Sequence, residues 1–168
     1  MRAGRPLFDR LIDALALAAA ALLVLIAVLI VLDVGARTLR LFSIPWVLEA
    51  TEYMLYALTF FGAPWLLRDQ GHIAIEILVE RLPAALRRKI QRVSHGVGAL
   101  ICALLFVYGC RVLWRSFESG VMVQKSFAFP EWWTYLIVPP VMLLLLGIYL
   151  RWLARPPALQ ADAAGERA

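Results

Sequence analysis

The fold of this chain is decided by the stretch WVLEATEYMLYALTFFGAPWLLRDQGHIAIEILVERLP, residues 46–83. Its first part, residues 46–67, is long enough to cross a bilayer, because a membrane helix needs about 20 mostly apolar residues. Glu49 and Glu52 stand near the start of this part, and Arg68, Asp69 and His72 follow its end. The pattern predicts a membrane helix that carries its polar chemistry at the two membrane faces.

The composition extends this prediction to the whole chain of 168 residues. Hydrophobic residues make up 62% and charged residues 17%, whereas soluble domains contain about 45–50% and about 25%. The surplus apolar surface has to lie in lipid. The basic residues give a net charge of +5, but they cluster at the ends of apolar runs, which is typical of topology signals. We therefore predict an all-α integral membrane protein in the lipid bilayer, with no nucleic-acid partner.

The apolar runs predict four transmembrane helices, at about residues 11–34, 46–67, 93–115 and 132–153. Between the second and third we predict an amphipathic interfacial helix at about 73–90, divided by Pro83. Its apolar residues share one helical face and are Ile75, Leu78, Val79, Leu82, Leu86 and Ile90. Residues 1–155 form one membrane domain in this interpretation, and residues 156–168 form a flexible tail.

Basic residues predict the orientation. The segment before the first span holds three, the connection 68–92 holds six and the C-terminal segment holds three, while the other two connections hold two and three. Connections rich in Lys and Arg stay on the cytoplasmic side. We expect a multi-pass membrane protein with both termini in the cytoplasm.

Glu49 and Glu52 are the strongest functional candidates. They lie three residues apart and so share a helical face, with Tyr53 beside them. Ionisable residues in a membrane span suggest function, yet the first turns of a helix favour negative charge, and Arg37 and Arg40 are available as partners. Two interpretations stay open, namely a contact with a partner subunit and a site that couples transport to protons or cations.

Other chemistry is sparse. His72 and His95 are the two histidines, and two histidines on neighbouring helices can ligate a haem, so a membrane cytochrome subunit is an alternative. The sequence has no Gly-rich phosphate loop, no Ser/His/Asp set and no Cys-x-x-Cys motif. We expect no enzymatic activity, no metal and no cofactor. Spans with almost no charge at mid-depth favour a supporting subunit over a complete carrier.

One helix carries a packing signal. Ser94, Gly98 and Cys102 recur every four residues, and such small residues let membrane helices approach closely. We interpret this stripe as a face that packs against a neighbouring helix. A charge there, as in Gly98→Glu, is expected to release a partner subunit.

Several short motifs, taken in order, resemble one known family, the small membrane subunit of tripartite ATP-independent periplasmic (TRAP) transporters. The similarity covers about residues 10–155. The motifs are Arg37, Trp46-x-x-Glu49, Phe61-Gly62-Ala63, Arg68-x-x-Gly71-His72-Ile73-x-Ile75-Glu76, Leu82-Pro83, Ser126, Pro130-x-Trp132, Tyr135 and Pro139. The chain departs from the family pattern at Leu48-Glu49, where adjacent acidic residues are more common, and at Glu76, where Asp is usual.

The resemblance implies a bracing role. In that family a large permease subunit carries the substrate and sodium sites, and a periplasmic substrate-binding protein delivers an organic acid, typically a carboxylate. The small subunit has four spans and braces the large one, so the resemblance implies localisation in a bacterial inner membrane. The resemblance and the residue patterns together give these partner-interface candidates: Arg37, Trp46, Glu49, Glu52, Tyr53, Gly62, Arg68, Gly71, His72, Glu76 and Pro83. The connection 116–131 is expected to face the large subunit or the docked binding protein.

A stand-alone antiporter remains the main alternative. Such a protein also has four spans, works as a homodimer and carries a Glu deep in its first span, where this chain has Asp13 near the start.

Overall fold

A computed structural model describes residues 7–39, 45–70, 84–124 and 128–154. Five helices and two short strands cover these residues. The elements are α1 (Leu7–Thr38), α2 (Pro45–Gln70), α3 (Ala84–Ser119), β1 (Met122–Gln124), β2 (Ala128–Pro130), α4 (Trp132–Tyr135) and α5 (Val138–Ala154).

Three segments of the described chain are helical, long and apolar enough to cross a membrane. They are Leu7–Thr38, Lys89–Ser119 and Trp132–Ala154, with mean hydropathies of 3.3, 2.0 and 2.0. The chain is thus a multi-pass, helical membrane protein. Helix α2 is not among the three, although it has 26 residues, because its glutamate, proline, tyrosine and tryptophan residues lower its mean hydropathy.

The helices form two antiparallel pairs. In the first pair, α1 and α2 run side by side, so that Ala19 meets Gly62 and Asp13 meets Arg68. In the second pair, α3 and α5 bring His95 to Trp152. The two pairs join where α2 packs on α5. We call the end of the bundle where α1 begins and α5 ends the terminal end, and the opposite end the hairpin end.

The interior of this bundle is narrow. On α1 the buried apolar residues are Ile12, Ala19 and Ile26, and their spacing of seven is that of helices packed along a single seam. On α5, Val141 and Ile148 repeat the same spacing. Outside the seam the surface is apolar: Val31 is 70% exposed and Leu100 60% exposed. Such an exterior suits hydrocarbon rather than water.

A β-hairpin follows α3, where the sequence analysis predicted only an exposed connection in an all-α protein. Strands β1 and β2 are antiparallel, with Met122 opposite Pro130. Gly120 has a φ of 59°, the left-handed conformation in which glycine commonly ends a helix. The all-α description therefore needs the addition of this small hairpin.

The helices also extend past the predicted spans. Helix α3 begins at Ala84, so residues 84–90 of the predicted interfacial helix form the first two turns of a continuous membrane helix. The rest of that predicted helix, residues 73–83, lies outside the described residues, and so does the predicted tail.

Candidate functional site

The first turns of α2 bring several predicted site residues to the hairpin end. Trp46 is 40% exposed, Glu49 is half-buried and Glu52 is exposed. The ring of Tyr53 packs edge-on against Phe129 of β2, with 5.1 Å between ring centroids. The structure therefore places these candidates beside the hairpin, on a helix start whose dipole favours carboxylates.

Arg37 reaches the same end from the last turn of α1. Its Nη2 donates to Asp33 Oδ2 at 2.8 Å, one turn back on the same helix. This pair is local to α1. Arg40, the other basic residue considered as a partner for the α2 carboxylates, lies outside the described residues.

Glu131, which the sequence analysis did not single out, forms hydrogen bonds with several residues at the hairpin end. One of its carboxylate oxygens accepts from the buried Ser116 hydroxyl at 3.2 Å, and the other accepts from the Tyr135 hydroxyl at 3.3 Å. Its backbone N–H donates to the Val121 carbonyl at 3.0 Å. A lone Glu next to an aromatic cluster gives no sequence signal for this role, because its partner Ser116 lies 15 residues away.

Gly62 lies on the seam of the first helix pair. A Cβ at Gly62 would stand 4.0 Å from Ala19 Cβ, an ordinary contact distance between closely packed helices. Pro64 is among the largest side chains with almost no exposure. This part of α2 contributes to helix packing within the chain.

Arg68 belongs to an ion-pair cluster at the terminal end. Its Nη2 donates to Asp13 Oδ1 at 2.5 Å, and its Nη1 donates to the Asp9 carbonyl at 3.3 Å. Arg151 donates to Asp9 Oδ1 at 3.1 Å and lies over the Phe8 ring. These contacts tie the start of α1 to the ends of α2 and α5, where the helix dipoles favour cations on α2 and α5 and an anion on α1.

The small-residue stripe packs inside the chain. A Cβ at Gly98 would lie 2.5 Å from Cζ of Tyr149, Cys102 is 7% exposed and Ser94 is half-buried. Next to them lies His95, which is 3% exposed. Its ring centroid is 5.1 Å from that of Trp152, and the two rings are tilted by 50°. The structure thus places the chain's own α5 against Gly98, and the release of a partner subunit by Gly98→Glu stays a prediction.

Four of the predicted site residues, Gly71, His72, Glu76 and Pro83, lie outside the described residues. Within the described ranges, no group of three or more His, Cys, Asp or Glu side chains is placed to hold a metal ion. Arg68 and Arg151 make polar contacts between helices, whereas the pair Arg37–Asp33 stays within one helix.

Comparison with known proteins identifies the family. The chain matches the family described as "Tripartite ATP-independent periplasmic transporters, DctQ component" over residues 26–156. The chain belongs to the DctQ family. The match includes every described element except residues 7–25 of α1.

A curated relative agrees with this family. The DctQ chain is similar to the C4-dicarboxylate TRAP transporter small permease protein DctQ of Rhodobacter capsulatus, with 26% identity over 102 residues. The matched region is 61% of this chain and 44% of the relative. The chain therefore spans less than half of the length of that relative in this alignment.

Proposed function

We propose that this DctQ component is the small membrane subunit of a TRAP transporter, and that it braces a large sodium-coupled permease subunit during binding-protein-dependent import of an organic acid. The observation that carries the proposal is the family match over residues 26–156. The name of the Rhodobacter capsulatus relative supports a carboxylate, and in particular a C4 dicarboxylate, as the substrate class.

The proposal includes four membrane crossings. Helix α2 has 26 residues, or about 39 Å at 1.5 Å per residue. It contacts α1 at Gly62 and again at Arg68. Because α1 is long and apolar enough to span the membrane, a helix packed antiparallel along it lies at the same depth. Its two glutamates then sit near one membrane face.

The terminal end is assigned to the cytoplasm and the hairpin end to the periplasm. The support is the basic-residue pattern, in which the connection 68–92 and the two terminal segments hold most Lys and Arg. In this orientation the amphipathic segment 73–90 lies at the cytoplasmic face of the membrane, where its apolar residues enter the bilayer interface.

The partner-facing residues proposed at the periplasmic face are Trp46, Glu49 and the connection 116–131. Two features of the hairpin end support this assignment. Val121 and Met122 are each 50% exposed, and Glu52 is exposed one turn from Glu49. An exposed apolar edge next to carboxylates is a composition suited to protein contact.

A stand-alone antiporter is the less favoured function. An antiporter of this kind requires an acidic residue deep in the first span that can exchange protons or cations. The acidic residue nearest to that position, Asp13, bonds to Arg68 at the terminal end, and the family match points to a multi-subunit system.

The test is uptake of a radiolabelled C4 dicarboxylate, with a panel of other small organic acids, in cells that express the transporter. Deleting this chain should abolish uptake, supplying it in trans should restore uptake, and expressing it without the large subunit should give none. Uptake or cation exchange by this chain alone would contradict the proposal and support the antiporter.

A further inference from the structure

Glu131 occupies a position between three elements at the hairpin end. It follows β2 directly, its side chain accepts a hydrogen bond from Ser116 of α3 at 3.2 Å, and it accepts another from Tyr135 of α4 at 3.3 Å. Ser116 is 7% exposed, so its hydroxyl has little access to water. Both carboxylate oxygens are thus used to connect the end of the hairpin to neighbouring helices.

The same hairpin reaches the other helix pair through Phe129. The Phe129 ring meets Tyr53 of α2 edge-on, with 5.1 Å between centroids. Glu131 holds the hairpin on α3 and Phe129 holds it on α2, so two residues separated by Pro130 connect the two pairs at this end. At the terminal end, the ion pair of Arg151 with Asp9 connects α5 with α1.

A simpler role for Glu131 would be to cap the short helix α4. Glu131 is the N-cap residue of that helix, but its side chain makes no capping hydrogen bond, and its backbone is in the right-handed helical conformation with φ −57° and ψ −34°. Side chains that cap a helix accept from the N–H groups of its first turn. The carboxylate instead reaches across to α3.

We propose that Glu131 is a positioning residue that fixes the β-hairpin on α3 and thereby holds the two helix pairs in one relative arrangement at the hairpin end. The part of this inference that concerns transport rests on the proposed function, because the chain can support a large subunit only if its two helix pairs keep a fixed spacing. The geometry calls for a side chain long enough to hydrogen-bond two hydroxyls at once, and not for negative charge.

This requirement distinguishes three variants. Glu131→Gln keeps the length of the side chain. Its amide oxygen can accept from one hydroxyl and its amide nitrogen can donate to the oxygen of the other, so it should behave like the wild type. Glu131→Asp keeps the charge but is one methylene shorter, and Glu131→Ala removes both bonds, so both should loosen the hairpin end. Glu118→Ala is the matched control, because Glu118 accepts from Trp114 of its own helix at 2.7 Å.

The experiment measures spin-label distance distributions in the full chain in lipid nanodiscs, after Cys102→Ala and Cys110→Ser have removed the native thiols. Labels at Leu48→Cys of α2 and Arg115→Cys of α3 report on the hairpin end, where both residues are exposed. A second pair, Leu11→Cys and Leu150→Cys, reports on the terminal end, where these residues are 49% and 53% exposed.

We expect Glu131→Ala and Glu131→Asp to widen the hairpin-end distribution at least twofold, with Glu131→Gln, Glu118→Ala and the terminal-end distribution unchanged. An unchanged width of the hairpin-end distance distribution in Glu131→Ala would overturn the proposal. So would a wild-type width in Glu131→Asp together with a wider distribution in Glu131→Gln. If the Ala variant fails to insert, Ser116→Ala removes one of the two bonds and is judged by the same widths.

Transport provides the second readout. In proteoliposomes that contain this chain and its large subunit and are supplied with the binding protein and a sodium gradient, Glu131→Ala should lower the maximal uptake rate several-fold without loss of the large subunit, and Glu131→Gln should keep the wild-type rate. Unchanged uptake in a widened variant would overturn the role in transport. If the wild-type chain binds no large subunit, the proposed function fails, while the spin-label widths still decide whether Glu131 positions the hairpin.

Discussion

Gly98 shows how a single missing side chain sets a helix contact. A Cβ there would come within 2.5 Å of Tyr149 Cζ, and Tyr149 is itself held beside Trp152 at 5.7 Å. We expect Gly98→Ala to destabilise the chain by about 1–3 kcal/mol, the usual cost of overpacking, and to lower its thermal midpoint in detergent.

Gly96 provides the matched control for this prediction. It lies on the same helix, and a Cβ added there meets nothing within 4 Å, so Gly96→Ala should raise the midpoint slightly through helix propensity. In a Tyr149→Ala background the cost of Gly98→Ala should largely disappear. If Gly98→Ala destabilises the Tyr149→Ala variant as much as it destabilises the wild type, the contact with Tyr149 is not the cause of the destabilisation.

Asp13 and Arg68 connect two helices, and this distinguishes them from Asp33 and Arg37. Breaking the first pair with Asp13→Asn should cost about 1 kcal/mol, because both groups are partly exposed and solvent weakens the pair. Breaking the second, intrahelical pair with Arg37→Gln should cost less. Thermal unfolding of both variants, and of the exchange Asp13→Arg with Arg68→Asp, measures the difference. An exchange variant no more stable than Asp13→Asn would argue against a specific pair.

Glu49 is the carboxylate that we assign to a partner contact. Glu49→Ala should reduce uptake several-fold while leaving insertion and expression at wild-type levels, because the residue stands at a helix start near the membrane face. Western blots of membranes and uptake rates measured on the same cells test this prediction. Normal uptake at normal expression would remove Glu49 from the functional residues.

The β-hairpin depends on the turn that precedes it. Gly120 ends α3 with a φ of 59°, and a side chain at such a position costs about 1–2 kcal/mol. Gly120→Ala should therefore destabilise the hairpin end and speed proteolysis in the connection 121–131, whereas Gly120→Asn should do so less, since Asn tolerates this conformation. Equal proteolysis rates for Gly120→Ala and the wild type would show that the turn does not hold the hairpin.

The sequence predicts some elements well and others poorly, for physical reasons. Long apolar runs predict α1, α3 and α5, because a helix that crosses the hydrocarbon core needs a long apolar stretch. Helix α2 gives a weaker signal, since Glu49 and Glu52 lower its hydropathy. The hairpin has strands of three residues each, too short for an alternating pattern, and the loop between them lacks the Asn-Gly or Asp-Gly signal of a tight turn.

The contacts between distant residues were not accessible from the sequence. Arg68 pairs with a residue 55 positions away and Arg151 with one 142 positions away, and periodicity reports only on neighbours along one helix. The stripe Ser94/Gly98/Cys102 was recognised as a packing face, but only the structure shows that α5 covers Gly98. Glu131 was missed because its partner lies on another element.

At the level of the whole molecule, the exposed surface explains why this chain needs surroundings other than water. Large apolar side chains are exposed along α1 and α3, among them Val24 at 64% and Val107 at 57%. The buried residues of α1 recur only every seventh position, and the described charged groups lie toward the two ends. The mid-depth region therefore offers little to coordinate a charged substrate.

The most direct test is a pull-down of the tagged chain from its native membrane in mild detergent, followed by mass spectrometry of the proteins that accompany it. We expect a stoichiometric membrane partner with many spans, accompanied by a substoichiometric periplasmic binding protein. A homodimer with no such partner would contradict the assignment as a small subunit.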